Sequence, residues 1–221
     1  MLNPLLTLLI MRVVFTHFFG SNIAHYTTYL FCGNIVFSFF NEATSQGMLS
    51  LLNNADIFTK VNVPKYLFPM ARNAQTLINF GLTLIVFFLL CLFDGITFHW
   101  RFFALLYPIV MLVFFNFGVS LFLSASYVFF RDLQYIWSVF VQLLTYMSAI
   151  FYSIETFPPK IQNLFLLNPV YLFIRYFRKI VIDGTIPSPG FHAVMALYTA
   201  LFLFFGIYMY RKNDTEFLYY I

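Results

Sequence analysis

Six apolar runs, each long enough to cross a bilayer as a helix, take up most of this 221-residue chain. They cover residues 2–19, 26–52, 74–93, 102–129, 133–154 and 191–210, with short polar breaks between them. At these lengths only helices suit, because lipid cannot satisfy the backbone of an isolated strand. Charge is correspondingly scarce. Charged residues make up 9% of the chain against 62% hydrophobic, and mean hydropathy is +0.84. A soluble domain would carry about 25% charged residues to meet water, so most of this surface is expected to face lipid. No room remains for a separate soluble domain. The net charge of +4 is scattered, with no basic run of the kind that tracks a nucleic-acid backbone. No cleavable signal peptide is expected, since no basic segment precedes the first apolar stretch.

Two interruptions carry more information than the spans. In segment 155–189, Pro158 and Pro159 open a helix, Asn168-Pro169 breaks it, and Asp183-Gly184 ends a second piece. Each piece is too short to span, which predicts a re-entrant hairpin of two short helices. Arg175, Arg178 and Lys179 fall at i, i+3, i+4 spacing and share one face of the second helix. They suit the phosphate of lipid headgroups, or plain anchoring at the interface. The other interruption, residues 54–69, predicts a short helix over 55–61, capped by Asn54 and ended by Pro64. It mixes Asp56, Lys60 and Lys65 with Ile57, Phe58 and Val61, as a compact handle for another protein would. The positive-inside rule barely decides orientation, with six basic residues against five. Setting the hairpin's basic residues aside places both termini in the cytoplasm.

Catalytic machinery is not expected. The chain has no phosphate-binding G-x-x-x-x-G-K-[ST] loop, no dinucleotide fingerprint and no nucleophile elbow. His17, His25, His99 and His192 are dispersed near helix ends and read as interfacial side chains, so no metal site is expected. Cys32 and Cys91 read as buried thiols. Arg12 and Glu42 are ionisable residues inside predicted spans, where charge must face a cavity or a partner. Glu42 lies in a polar patch with Asn41, Thr44 and Gln46. Two readings stand side by side: the patch lines a polar conduit, or it supplies interhelical hydrogen bonds.

The order of these elements resembles the transmembrane subunits of ABC-2-type exporters, above all those of O-antigen, capsular polysaccharide and teichoic acid. The resemblance is carried by Asn54-Ala55, Lys60-Val61 and Pro64-Lys65 before Pro69, and by Phe129-Phe130-Arg131-Asp132. It continues through Ala149-Ile150-Phe151-Tyr152, Leu167-Asn168-Pro169, Phe177-Arg178, and Tyr210-Arg211-Lys212 to Tyr219-Tyr220, and so spans nearly the whole chain. It implies an all-α membrane protein, a single ABC-2-type transmembrane domain over 1–221 with six spans. Residues 54–63 would be a cytoplasmic coupling helix, and the re-entrant hairpin would stand before the last span on the exit side.

The resemblance further implies a homodimer with two copies of a cytoplasmic ABC ATPase subunit that binds the ATP and Mg, so that the permease itself needs no cofactor. It implies the bacterial cytoplasmic membrane, a lipid-linked glycan as cargo, and a passage bordered by the first and fifth spans. The family also carries an amphipathic helix ahead of the first span. Because Met1-Leu2-Asn3-Pro4 already looks like that span's start, the helix is expected to be absent or to lie upstream. The alternatives are an ABC-2 drug or peptide exporter, a membrane enzyme acting on lipid-linked sugars, and an ion-coupled carrier. The last is disfavoured by the scarcity of intramembrane carboxylates.

Overall fold

The computed structural model describes residues 25–58, 60–61 and 63–220, and among them all regular structure is helical. Helix α1 spans Tyr26–Leu49, followed by a 3-10 turn, Leu52–Asn54, and a single helical turn α2, Ala55–Phe58. Helix α3 spans Leu67–Phe93, and a 3-10 stretch, Trp100–Leu105, runs into α4, Leu106–Phe129. Then come α5, Leu133–Met147, the short α6, Pro159–Phe165, α7, Pro169–Val181, α8, Pro189–Asn213, and α9, Phe217–Tyr220.

Three of these are long and apolar enough to cross a membrane: α3, the Trp100–Phe129 helix and α8. Their outward faces carry stripes at helical spacing, such as Ile78, Leu82, Ile85, Leu89 and Leu92 on α3 and Leu197, Leu201, Phe204 and Tyr208 on α8. Stripes this large suit hydrocarbon rather than water. Helix α1, at 24 residues, has the length to span but is diluted by Asn34, Asn41, Glu42 and Gln46. The apolar run 2–19 lies outside the described residues.

Several boundaries differ from the sequence expectation. Helix α3 starts at Leu67 rather than near residue 74, because Pro69 falls in its first turn, where a missing N–H breaks no helical bond. It closes as expected at Asp94-Gly95. Gly95 is left-handed at φ +75°, and the Ile96 and Gly95 amides donate back to the Cys91 and Leu92 carbonyls. Helix α5 stops at Met147 instead of continuing to residue 154. At 15 residues it is about 22 Å long, short of a ~30 Å core. Ala149 turns left-handed at φ +49°, and side chains from other helices take the carbonyls that follow.

The packing divides into two compact units. Among the described residues, one gathers 25–38 with 79–109 and 142–195; its centre is α7, whose residues are nearly all buried. The other gathers those of 39–78, 110–141 and 196–220, with Leu51, Leu121, Ala125, Val128, Tyr210 and Phe217 clustered in its core. In this second unit α4 and α8 touch backbone to backbone. A Cβ on Gly118 would stand 2.6 Å from the Leu203 nitrogen, and one on Gly206 2.4 Å from the Gly118 oxygen. Small residues at such a crossing let two membrane helices gain dispersion contact along their length.

Candidate functional site

In the first unit the second hairpin helix is built on Asn168. Its Oδ1 accepts from the Val170 and Tyr171 amides at 3.0 and 3.4 Å, while Pro169 occupies the first helical position. Its Nδ2 donates in the other direction, to the Met147 carbonyl at 3.2 Å and Ser148 Oγ at 3.0 Å. One amide thus starts α7 and finishes α5. Pro158 and Pro159 stand at the N-cap and first position of α6, as their sequence placed them.

Arg178 completes the end of α5. It is only 8% exposed. Nη1 donates to the Ala149 carbonyl and Nη2 to the Ile150 carbonyl, each at 2.9 Å. Nε and Nη2 both reach the Tyr29 carbonyl at 3.3 Å, and the guanidinium lies 3.5 Å from the centre of the Tyr29 ring. No carboxylate pairs with it among the described residues. Carbonyl dipoles and a ring face therefore carry the compensation that a buried cation needs. The next two carbonyls, of Phe151 and Tyr152, accept from the Tyr26 and Tyr29 hydroxyls at 2.9 and 2.7 Å. Four successive carbonyls that leave α5 are thus held by side chains of α1 and α7. Gly33 makes the approach possible, since a Cβ there would stand 3.0 Å from Arg178 Nη2.

Sequence spacing put Arg175, Arg178 and Lys179 on one phosphate-facing surface. Arg178 instead points inward and is committed to carbonyls, while Arg175 and Lys179 are partly exposed.

In the second unit, the loop before α3 has an inner and an outer side. Asp56, Ile57, Lys60, Val61 and Pro64 are exposed, with Ile57 48% and Val61 56% accessible. Ala55 packs on the buried cluster around Leu51 and Phe217. The helical turn is shorter than expected, and Asn54 lies inside the 3-10 turn that runs into it. Its Nδ2 donates back to the Ser50 carbonyl at 2.7 Å, closing the end of α1. Lys65 also departs from expectation. It is 9% exposed and turned inward, and Nζ donates to the Asp214 carbonyl and, at 3.1 Å, to Asp214 Oδ1.

The conduit candidates separate. Asn41, Glu42 and Gln46 lie exposed along α1, whereas Thr44 is buried and its hydroxyl bonds the Phe40 carbonyl of its own helix at 2.7 Å. Arg12, and with it a pairing of Arg12 and Glu42, lies outside the described residues. The sequence reading missed Asn116 on α4. It is fully buried, and neither side-chain polar atom has a hydrogen-bond partner among the described residues.

Residues 1–182 match the family model described as ABC-2 type transporter. A relative in Klebsiella pneumoniae, "O-antigen export system permease protein RfbA", is 27% identical over 83% of this chain and 71% of its own length. A protein of the same name in Myxococcus xanthus is 26% identical over 98% of this chain and 84% of its own. A second Klebsiella pneumoniae protein of that name is 25% identical over 97% of this chain and 83% of its own. The stretch matched by the family model reaches from the first apolar run through α7, and so takes in both the exposed loop and the Arg178 cluster. This chain belongs to the ABC-2 type transporter family, and it is a membrane transport protein rather than an enzyme.

Proposed function

We propose that this chain is the permease subunit of an exporter that moves a lipid-linked O-antigen-type glycan across the bacterial cytoplasmic membrane. A separate ABC ATPase subunit binds Mg-ATP and supplies the work. The observation that carries this reading is the loop ahead of α3. It presents Asp56, Ile57, Lys60 and Val61 outward from a base packed on the core, as a docking handle must. The printed names of the three relatives support the glycan as cargo.

On this reading the subunit has six spans: one in the first apolar run, then α1, α3, the Trp100–Phe129 helix, α5 completed by the non-helical stretch that follows it to residue 154, and α8. Both termini and the exposed loop face the cytoplasm. Two permeases assemble with two ATPases, and the α6–α7 hairpin stands on the exit side of the passage between them. The exposed apolar face of α5, with Tyr135, Val139, Leu143 and Tyr146, and the Asn41-Glu42-Gln46 face of α1 border that passage. Arg175 and Lys179 meet phosphate of lipid or carrier.

The test combines recruitment and export. The tagged chain is purified in mild detergent from its own host, and surface glycan is followed in the same cells. Ile57→Asp with Lys60→Glu is expected to abolish ATPase co-purification and leave glycan in the cytoplasm. Undiminished export with both substitutions in place would sink the docking assignment. A normal glycan coat in a deletion strain that loses resistance to a drug or peptide would reassign the cargo.

A further inference from the structure

Lys65 is the cation of the loop that the docking reading does not use. A lysine amine is strongly hydrated, and taking it out of water costs energy unless partners replace that water. Here the partners come from 149 positions further along the chain: the Asp214 carbonyl and carboxylate. The amine also lies 5.7 Å from the centre of the Phe217 ring. Phe217 is fully buried, 5.3 Å from the Tyr210 ring and 5.8 Å from the Phe129 ring. Tyr210 in turn closes on α4, its hydroxyl 2.9 Å from Ser124 Oγ.

A second loop meets the same segment independently. In the turn between α4 and α5, Arg131 Nη2 donates to the Tyr220 carbonyl at 3.1 Å, and the Tyr220 ring packs edge-on to Phe129 at 4.9 Å. The 60–66 loop and the 130–132 turn are therefore both fastened to segment 214–220, which leads directly out of α8.

We infer that segment 214–220 is a transmission joint, and that Lys65 is a positioning residue linking the ATPase-facing loop to α8 through Asp214 and Phe217. This rests on the docking function proposed above and adds how the push leaves the loop. Asp56, Ile57, Lys60 and Val61 receive the contact on the outer side. Lys65, on the inner side, carries the displacement to the end of α8. A loop without this link would still dock, but would swing without moving the span.

The experiment uses the full permease–ATPase complex in vesicles, with three readouts: ATPase co-purification, ATP hydrolysis, and glycan exported per ATP hydrolysed. Lys65→Met keeps the apolar stem and removes the donors. It is expected to leave recruitment and hydrolysis near wild type while export per ATP falls roughly tenfold, as loss of one partly buried charge pair allows. Lys65→Arg, which retains donors, is expected to restore the ratio. Asp214→Ala removes only the exposed carboxylate and should lower the ratio about threefold, with the double variant no worse than Lys65→Met alone.

Loss of recruitment together with export in Lys65→Met would make Lys65 a docking contact and overturn the joint. So would an unchanged ratio, or effects of Lys65→Met and Asp214→Ala that multiply. A wild-type chain that brings down no ATPase overturns the docking function and the joint together. Recruitment intact with an unchanged ratio overturns the joint alone.

Discussion

Replacing Arg178 with methionine separates two opposed effects whose balance the geometry decides. Removing a buried charge relieves its desolvation, and where both partners of a buried pair are exchanged for apolar groups the change is often neutral or stabilising. Here only one side of the arrangement is exchanged. The Ala149 and Ile150 carbonyls stay buried at the end of α5, and Arg178 supplies their hydrogen bonds at 2.9 Å. A buried acceptor left unpaired costs about 1–3 kcal/mol. Two such carbonyls, together with the lost stacking on Tyr29, outweigh the relieved charge and leave a net loss of roughly 2–4 kcal/mol.

For a chain of this length 1 kcal/mol corresponds to about 2–4 °C in Tm, so the purified Arg178→Met permease should melt about 5–15 °C lower. The assay is thermal unfolding in detergent, followed by size-exclusion recovery. Arg178→Lys should fall between wild type and Arg178→Met, because a point-like ammonium cannot span both carbonyls in a fork. Gly33→Ala pushes a methyl to 3.0 Å from Nη2 and 3.1 Å from Ile150 Cγ2, and so should destabilise less but through the same contact. Its effect should shrink in the Arg178→Met background, a non-additivity that reports shared geometry. An Arg178→Met protein that melts at or above wild type would show that the carbonyls do not depend on the guanidinium, and the reasoning would fail.

Other substitutions test the remaining contacts. Gly118→Ala and Gly206→Ala each force a methyl into backbone 2.4–2.6 Å away, and should cost about 1–3 kcal/mol apiece in the same melting assay. Wild-type melting in either would refute the close crossing of α4 and α8. Asn168→Ser keeps a neutral acceptor for the Val170 and Tyr171 amides but loses the donations to Met147 and Ser148, so it should cost about half of what Asn168→Ala costs. Equal losses in the two variants would mean that the cap on Val170 and Tyr171 contributes nothing, and a wild-type melt in the variant that keeps the cap would mean the same of the link to α5. Asn116→Leu removes from a fully buried site two polar atoms that have no partner among the described residues, and should leave Tm unchanged or raise it by a few degrees. A clear drop would reveal a partner for that amide.

How much of the candidate site was legible varied with how local its cause is. Asn168-Pro169 announces a helix start in any context, because a side-chain acceptor and a fixed φ act within one turn, and α7 begins there. Asp94-Gly95 ends α3 for the same kind of reason. Asn54 shows the limit of such rules. An asparagine between two helices can serve either, and its Nδ2 here reaches back to the Ser50 carbonyl one turn earlier. Nothing near Ile150 in sequence says that α5 has already ended. The donors that end it come from Arg178, Tyr26 and Tyr29.

By itself, then, the sequence determined that the chain is a helical membrane protein and where its hydrophobic segments lie, because the length of an apolar run is a local property that lipid reads directly. Only the tertiary structure decided which charges stay outside. Lys60 and Lys65 are near neighbours of the same charge, as are Arg175, Arg178 and Lys179 on one helix face, and nothing local distinguishes them. Lys65 and Arg178 are buried because acceptors from distant segments stand opposite them: Asp214 for one, and the carbonyls of Tyr29, Ala149 and Ile150 for the other. Charge states what burial will cost, and the folded chain alone supplies the partners that offset it.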